Sequence, residues 1–150
     1  MKKVIVTGAN GQLGKAFTEA LVEKGYFVYA VDLNIEKIVS SEDVQPIELD
    51  ITNEKAVHSF FLSVNDLDVL INNAGIGVFT SFEDRTAAEF KQVMEVNLLG
   101  AFLMSQASVK IMKNSDGGKI VNIASIYGST SSDERIYGDS GRNNSEVYSA

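Results

Sequence analysis

The sequence predicts an α/β fold in which about five parallel strands form a doubly wound sheet with helices on both faces. Short apolar runs rich in β-branched residues alternate with longer segments that carry apolar residues at helical spacing. Strands that are apolar throughout are typical of parallel sheets covered on both faces. Because strand–helix–strand crossovers are right-handed, the expected strand order is 3-2-1-4-5.

The first half of the chain contains three of the predicted strands. The predicted elements are a strand over 3–7, a helix over 12–24, a strand over 26–31, a short helix over 35–39 and a strand over 45–49. Gly25 supplies the left-handed residue that commonly ends a helix. Pro46 cannot donate a hydrogen bond to a neighbouring strand, so it favours an edge position for the third strand.

The second half continues the alternation and ends in a polar region. The predicted elements are a helix from 53 to about 63, a strand over 68–71, a long helix from 86 to about 113 and a strand over 119–123. Asn53 or Thr52 caps the first helix, and Thr86 with Glu89 has the spacing of a capping box. We expect the long helix to be broken only at Gly100. Residues 129–146 are polar and aperiodic, which predicts a functional or disordered loop.

Composition restricts the classes of function. The chain has 150 residues, enough for one domain, with 45% hydrophobic residues and a formal net charge of -7. This charge argues against binding to nucleic acid or to an anionic membrane. The absence of cysteine excludes disulfides and cysteine-bound zinc, and His58 is a lone histidine in a polar stretch, so no metal site is expected. No run approaches the ~20 apolar residues of a membrane span. We therefore expect a cytoplasmic protein.

A glycine-rich turn follows the first predicted strand. Gly8 permits the tight turn, Gly11 lets the backbone approach a pyrophosphate, and Gly14 lets the helix pack close to the strand. The N-terminus of the following helix offers free N–H groups to the anion. Asp32, at the end of the second strand, can accept hydrogen bonds from ribose hydroxyls and repels a 2′-phosphate. The pattern predicts binding of NAD, with NADP less favoured. The alternatives are that the glycine turn only connects a strand to a helix and binds nothing, and that Asp32 caps a helix.

Further motifs follow the later strands, and the whole series resembles the short-chain dehydrogenase/reductase family. Asp50 follows the third strand, Asn72-Asn73-Ala74-Gly75 the fourth and Ser125 the fifth, while Asn97 lies in the long helix and Tyr148-Ser149-Ala150 ends the chain. The resemblance implies a Rossmann fold that binds NAD(P). It implies cofactor contacts from Gly8, Asn10, Gly11, Gln12, Leu13, Gly14, Asp32, Leu33, Asp50, Ile51, Asn73, Ala74 and Gly75. A helix cap explains Asp50 almost as well.

The resemblance also implies three catalytic residues. Asn97 resembles the family residue that interrupts the long helix and holds a water of a proton relay. Ser125 then hydrogen-bonds the substrate oxygen, and Tyr148 exchanges the proton. Tyr127 is too near Ser125 for this role, and Tyr137 has the shorter spacing of simple family members but has Gly141 four residues later instead of Lys.

The implied activity is hydride transfer between a hydroxyl and a ketone on a small molecule. The spacing of the glycines resembles relatives that act on nucleotide-linked sugars, so a sugar or nucleotide-sugar is a candidate substrate. The family motif places a Lys two residues beyond Ala150, so we expect residues 1–150 to be one NAD(P)-binding domain that lacks the C-terminal part of the family fold. We expect a homo-oligomer, because the long helix packs against a partner in the family. The alternatives are an inactive dinucleotide-binding module and a flavodoxin-like domain with accidental motifs.

Overall fold

The strands form one fully parallel sheet. The computed structural model describes residues 1–130, 133–140 and 148. Its strands are β1 Lys3–Thr7, β2 Phe27–Asp32, β3 Val44–Glu48, β4 Val69–Asn72 and β5 Lys119–Asn122. Their order is β3-β2-β1-β4-β5, and each neighbouring pair is parallel. The predicted fold class and strand order are confirmed, each strand ends within one residue of its prediction, and β3 with Pro46 lies at an edge.

Helices cover both faces of this sheet. They are α1 Gln12–Glu23, α2 Glu54–Phe61, α3 Ala87–Met94, α4 Ala101–Met112 and the single turn α5 Glu134–Tyr137. On one face, Phe17 and Leu21 of α1 pack on fully buried valines such as Val4 and Val28. On the other face, α2 and α4 pack on a cluster that includes Ile5 and Leu70. Two separate apolar cores are the expected result of a parallel sheet buried on both faces.

Side-chain caps begin two of these helices as the sequence predicts. Asn53 accepts a hydrogen bond from the Ala56 N–H at 3.1 Å and starts α2. Thr86 and Glu89 form the reciprocal capping box of α3. Glu89 also accepts a hydrogen bond from the Thr80 hydroxyl. These bonds, that from Thr80 first, lower the pKa of Glu89 to about 2.

The short helix predicted over 35–39 is wrong. The segment contains only a turn, closed by a hydrogen bond of 3.0 Å from Ile38 N to Ile35 O. Asp32 accepts from the Asn34 N–H at 3.1 Å, and Asn34 accepts from the Glu36 N–H at 2.9 Å. These side chains therefore give the backbone local hydrogen bonds that compete with a helix.

The long helix is widened rather than broken at Gly100. A π-helical stretch, Glu95–Gly100, joins α3 to α4 without a gap. Such wide turns are rare and concentrate at functional sites. Gly100 lies where the helix approaches β3's C-terminal loop: a Cβ at this position would lie 2.7 Å from the Ile51 side chain.

The region expected to be a loop contains some regular structure in its described part. The 3₁₀ turn Ile126–Gly128 leads into it, and α5 and the 3₁₀ turn Gly138–Ser140 lie within it. The sequence misses these because each is only three or four residues long. Residues 131–132 and 141–147, and with them Gly141, lie outside the described residues.

The surface of the long helix is divided. Val93 and Met104 are buried, whereas Phe90, Leu98 and Phe102 are exposed. Part of its apolar surface is thus uncovered in the single chain. In the part of the chain that the structure describes, no helix is long and apolar enough to cross a membrane.

Candidate active site

One large cleft opens at the carboxyl ends of the strands. It has a volume of about 1090 Å³. Every residue to which the sequence assigns a site role lines it except Gly14. In an open parallel sheet, ligands bind at this edge where the strand order reverses, here between β1 and β4.

The glycine turn has the geometry that its residues predict. Gly8 has a φ of +65°, and a Cβ there would lie 2.8 Å from the Ala74 Cα. A Cβ at Gly14 would lie 2.1 Å from the Gly8 carbonyl oxygen. Gly14 therefore acts behind the cleft, where it lets α1 pack against the turn.

Thr7 and Asn73 lock this turn to the end of β4. The buried Thr7 hydroxyl accepts from the N–H groups of Asn73 at 3.0 Å and Ala74 at 3.1 Å. The Asn73 side-chain amide donates to the carbonyls of Thr7 at 2.9 Å and Gly8 at 3.2 Å. Four hydrogen bonds thus hold the glycine turn against the loop that follows β4.

The helix that follows the turn begins without a side-chain cap. Gly11 occupies the cap position of α1 and has no side chain that could accept from the first N–H groups, whereas α2 and α3 have side-chain caps. Gly11, Gln12 and Leu13 line the cleft. The first N–H groups of α1 therefore face a space in which an anion could accept from them.

Two carboxylates follow β2 and β3. Asp32 accepts from the Asn10 N–H at 2.9 Å, which ties the glycine turn to the end of β2. Asp50 accepts from both the N–H and the hydroxyl of Thr52, at 2.9 and 2.7 Å. Neither is a helix cap: no helix follows Asp32, and Asn53 caps α2. Leu33 and Ile51 line the cleft beside them. No Lys, Arg or His lines the cleft in the described residues.

Asn97 pairs with a backbone peptide across the cleft. Its Oδ1 accepts from the Ile76 N–H at 2.8 Å, and its Nδ2 donates to the Ile76 carbonyl at 3.0 Å. Asn97 lies in the π-helical stretch, so the wide turn delivers its amide to the loop after β4. Gly75, the residue before Ile76, passes close to this amide.

Ser125 and Tyr148 line the other end of the cleft. The Ser125 hydroxyl accepts from the Tyr127 N–H at 3.1 Å and starts the turn Ile126–Gly128. A Cβ at Gly77 would lie 3.8 Å from the Tyr148 ring. Ser149 and Ala150, which complete the predicted motif, lie outside the described residues.

The competing Tyr137 has the wrong acidity for a base. Its hydroxyl donates to the Tyr127 hydroxyl at 2.9 Å. This bond, with burial and repulsion from Tyr127 and Tyr148, raises the pKa of Tyr137 above its usual range. A phenol that transfers a proton near neutral pH needs the opposite shift.

The sequence did not single out a set of polar contacts between residues that line the cleft. The buried Asn72 donates to the hydroxyl of Ser105 at 2.9 Å and to Asn122 Oδ1 at 2.8 Å. Asn72 and Asn122 are register partners at the ends of β4 and β5. The sequence did contain one indication of this contact, because an Asn ends each of the two apolar strands β4 and β5. Nothing in the sequence distinguishes Ser105 or Ile76.

Comparison with known proteins agrees with this arrangement. The family model for short chain dehydrogenase matches residues 2–140. A NAD-dependent glycerol dehydrogenase of Listeria innocua is 32% identical over 133 residues, which are 83% of this chain and 52% of that protein. The chain spans about half the length of the curated relatives it matches.

Solved structures show the same fold. A short chain dehydrogenase of Leptospira borgpetersenii with bound NAD⁺ superposes with a TM-score of 0.90 and 40% identity, over 98% of this chain and 58% of that one. ElxO with bound NADP superposes with a TM-score of 0.81 and 27% identity, over 99% of this chain and 61% of that one. From the matched model, the relatives and the fold, we conclude that the chain belongs to the short-chain dehydrogenase/reductase family.

Proposed function

We propose that residues 1–150 form the dinucleotide-binding domain of an NAD-dependent oxidoreductase that interconverts a hydroxyl and a ketone. One observation carries the proposal: the glycine turn, Asp32, Ser125 and Tyr148 line a single cleft. A cofactor site and a candidate proton-transfer site therefore share one space. The family membership and the named activities of the relatives support the same reaction class.

The cleft fits a dinucleotide, and its charges favour NAD. The uncapped start of α1 suits a pyrophosphate, because the free N–H groups and the helix dipole attract an anion. Asp32 suits the ribose hydroxyls. A 2′-phosphate would meet the Asp32 carboxylate, and among the described lining residues there is no cation to offset that repulsion.

The chain's own residues have separate roles in this reaction. When bound, the nicotinamide cofactor supplies or accepts the hydride. The Ser125 hydroxyl orients the substrate oxygen by hydrogen bonding. The Tyr148 phenol gives or takes the proton, which requires a neighbouring positive charge because a free phenol has a pKa near ~10. Asn97 holds the loop after β4 in place through Ile76.

The substrate class follows from the charge of the cleft. Asp32 and Asp50 are its charged lining residues in the described part of the chain. A neutral hydroxylated molecule, such as a sugar or polyol, enters such a cleft without the repulsion that an anion meets. The glycerol dehydrogenase among the relatives acts on a molecule of this kind, as its name states. A nucleotide-linked sugar is the alternative substrate, because the spacing of the glycines resembles that of relatives acting on such sugars.

We also propose that the protein forms a homo-oligomer through the long helix. Phe90 and Leu99 give that helix an exposed apolar surface outside the cleft. Such surfaces commonly mark protein–protein contacts. Sedimentation velocity tests this: we expect a dimer or larger species, and a single monomeric species at micromolar concentration contradicts it.

The catalytic assignment is tested by separating binding from turnover. In a catalytically active form of the protein, Ser125→Ala and Tyr148→Phe should each lower kcat by roughly 10²–10⁴-fold. Both should bind NAD as tightly as the wild type, because neither residue belongs to the cofactor half of the cleft. Unchanged turnover in either variant contradicts the assignment, and a parallel loss of NAD affinity contradicts the proposed division of the cleft.

A further inference from the structure

Two tyrosines that have no role in the proposed reaction are hydrogen-bonded to each other. Tyr137 Oη donates a hydrogen bond of 2.9 Å to Tyr127 Oη. Both residues are partly buried, and they come from different elements. Tyr127 lies in the turn Ile126–Gly128, and Tyr137 is the last residue of α5.

This contact attaches residues 133–140 to the turn that carries Ser125. The Ser125 hydroxyl accepts from the Tyr127 N–H, so Tyr127 is fixed to a proposed catalytic group. In contrast, the hydrogen bonds described for Arg135 and Ile136 all go to Asp133 within the same segment. The bond between the two phenols therefore connects α5 to a different part of the chain, which the hydrogen bonds within α5 do not do.

The surroundings of Tyr137 keep its hydroxyl protonated. Repulsion from Tyr148 is one of the effects that raise the pKa of Tyr137, behind the hydrogen bond to Tyr127 and burial. Tyr137 therefore keeps its proton through neutral pH and remains a hydrogen-bond donor. A persistent donor suits a structural contact and not proton transfer.

The segment has no free cation for an anionic substrate. Arg135 is its one basic residue, and its guanidinium lies 2.6 Å from the Asp133 carboxylate. This pairing lowers the pKa of Asp133 and raises that of Arg135, so both stay charged and occupied with each other.

We propose that Tyr127 and Tyr137 are positioning residues that hold residues 133–140 to the turn carrying Ser125 and thereby set the affinity for the neutral hydroxylated substrate of the proposed function. This inference rests on the proposed function, because it assigns the substrate end to Ser125 and Tyr148. The proposal depends on the hydroxyl–hydroxyl bond: its loss removes this connection between the segment and the Ser125 turn and leaves the proposed catalytic groups in place.

The test removes each hydroxyl and keeps each ring. In a catalytically active form of the protein, Tyr137→Phe and Tyr127→Phe should each raise KM for a polyol or sugar by about 2–12-fold, the effect of one net hydrogen bond. The kcat value and NAD affinity should change less than two-fold. The double variant should be no worse than either single variant, because both remove the same bond. Tyr26→Phe is the matched control and should leave KM unchanged, because Tyr26 immediately precedes the amino end of β2 and the cleft lies at the carboxyl ends of the strands.

A second readout needs no turnover. Tyrosinate absorbance measured against pH on this chain should show one late-titrating phenol that Tyr137→Phe removes and Tyr26→Phe retains. An unchanged late titration in Tyr137→Phe overturns the contact. If Tyr137→Phe and Tyr127→Phe both bind NAD and turn over normally with an unchanged KM, the positioning role is overturned and the proposed function is not. A wild type that binds no NAD overturns the proposed function instead, and a large fall in kcat with constant KM reassigns Tyr137 to proton transfer.

Discussion

Replacing Gly8 by alanine tests the close approach of the two loops that frame the cleft. Gly8 has a φ of +65°, and a Cβ there would lie 2.8 Å from the Ala74 Cα and 3.1 Å from the Ala74 nitrogen. Gly25 offers a matched control. It has a φ of +76°, but nothing lies within 4 Å of its Cβ position.

The two substitutions share one energetic cost and differ in another. Both place alanine in the left-handed region, which costs roughly 1–2 kcal/mol. Gly8→Ala also forces backbone apart in a packed region, which adds about 1–3 kcal/mol. The Gly8 variant should therefore be less stable than the Gly25 variant by about 1–3 kcal/mol. For a chain of this length each kcal/mol lowers Tm by about 2–4 °C.

Urea unfolding gives the free energies, and calorimetric titration gives NAD affinity. We expect Gly8→Ala to bind NAD at least about ten-fold more weakly, a loss of ~1.4 kcal/mol, because the loop that faces the pyrophosphate is displaced. Gly25→Ala should bind like the wild type. Equal stability losses together with equal NAD affinities for the two variants refute the reasoning.

Substitutions at three further positions test separate contacts. Asp32→Asn should weaken NAD binding by about 10-fold or more, since a hydrogen bond to a charged group contributes roughly 1.5–3 kcal/mol. It should also reduce the difference in affinity between NAD and NADP. Calorimetric titration with both nucleotides measures these affinities, and an unchanged ratio of the two affinities counts against the role of the carboxylate. Asn97→Ala should lower the free energy of unfolding, measured with urea, by about 1–3 kcal/mol, because it leaves the N–H and carbonyl of Ile76 without these partners. Asn97→Asp keeps only the acceptor for the Ile76 N–H. Its free energy of unfolding should lie between those of Asn97→Ala and the wild type. Glu89→Gln should have a lower Tm than the wild type at neutral pH. The Tm difference between the two proteins should shrink as pH falls from about 4.5 toward 2. Folding lowers the pKa of Glu89, so its carboxylate stabilises the fold above the ordinary pKa and loses that effect when it is protonated. A Tm difference that is constant with pH contradicts this last account.

The regular part of the fold is predictable because its causes are local. Runs such as Lys3–Thr7 are apolar and β-branched, and Thr86 with Glu89 forms its capping box within one helical turn. The cofactor half of the site is predictable for a related reason. Gly8 follows β1 directly and Asp32 ends β2, so the strand positions determine where these two residues meet.

The features that the sequence missed depend on contacts between distant residues. The π-helical stretch accompanies the pairing of Asn97 with Ile76, which lie 21 residues apart. The contact between Tyr127 and Tyr137 depends on how α5 folds back. The failed prediction over 35–39 is the exception, because there the local hydrogen bonds of Asp32 and Asn34 outweigh weak helical periodicity.

Parallel calorimetric titrations of this chain with NAD and NADP test the central claim most directly. The claim is that the uncapped α1 terminus and Asp32 bind a dinucleotide that lacks a 2′-phosphate. We predict saturable binding of NAD and binding of NADP weaker by at least about ten-fold. NADP binding as tight as that of NAD, or no binding of either nucleotide by a folded sample, contradicts the claim.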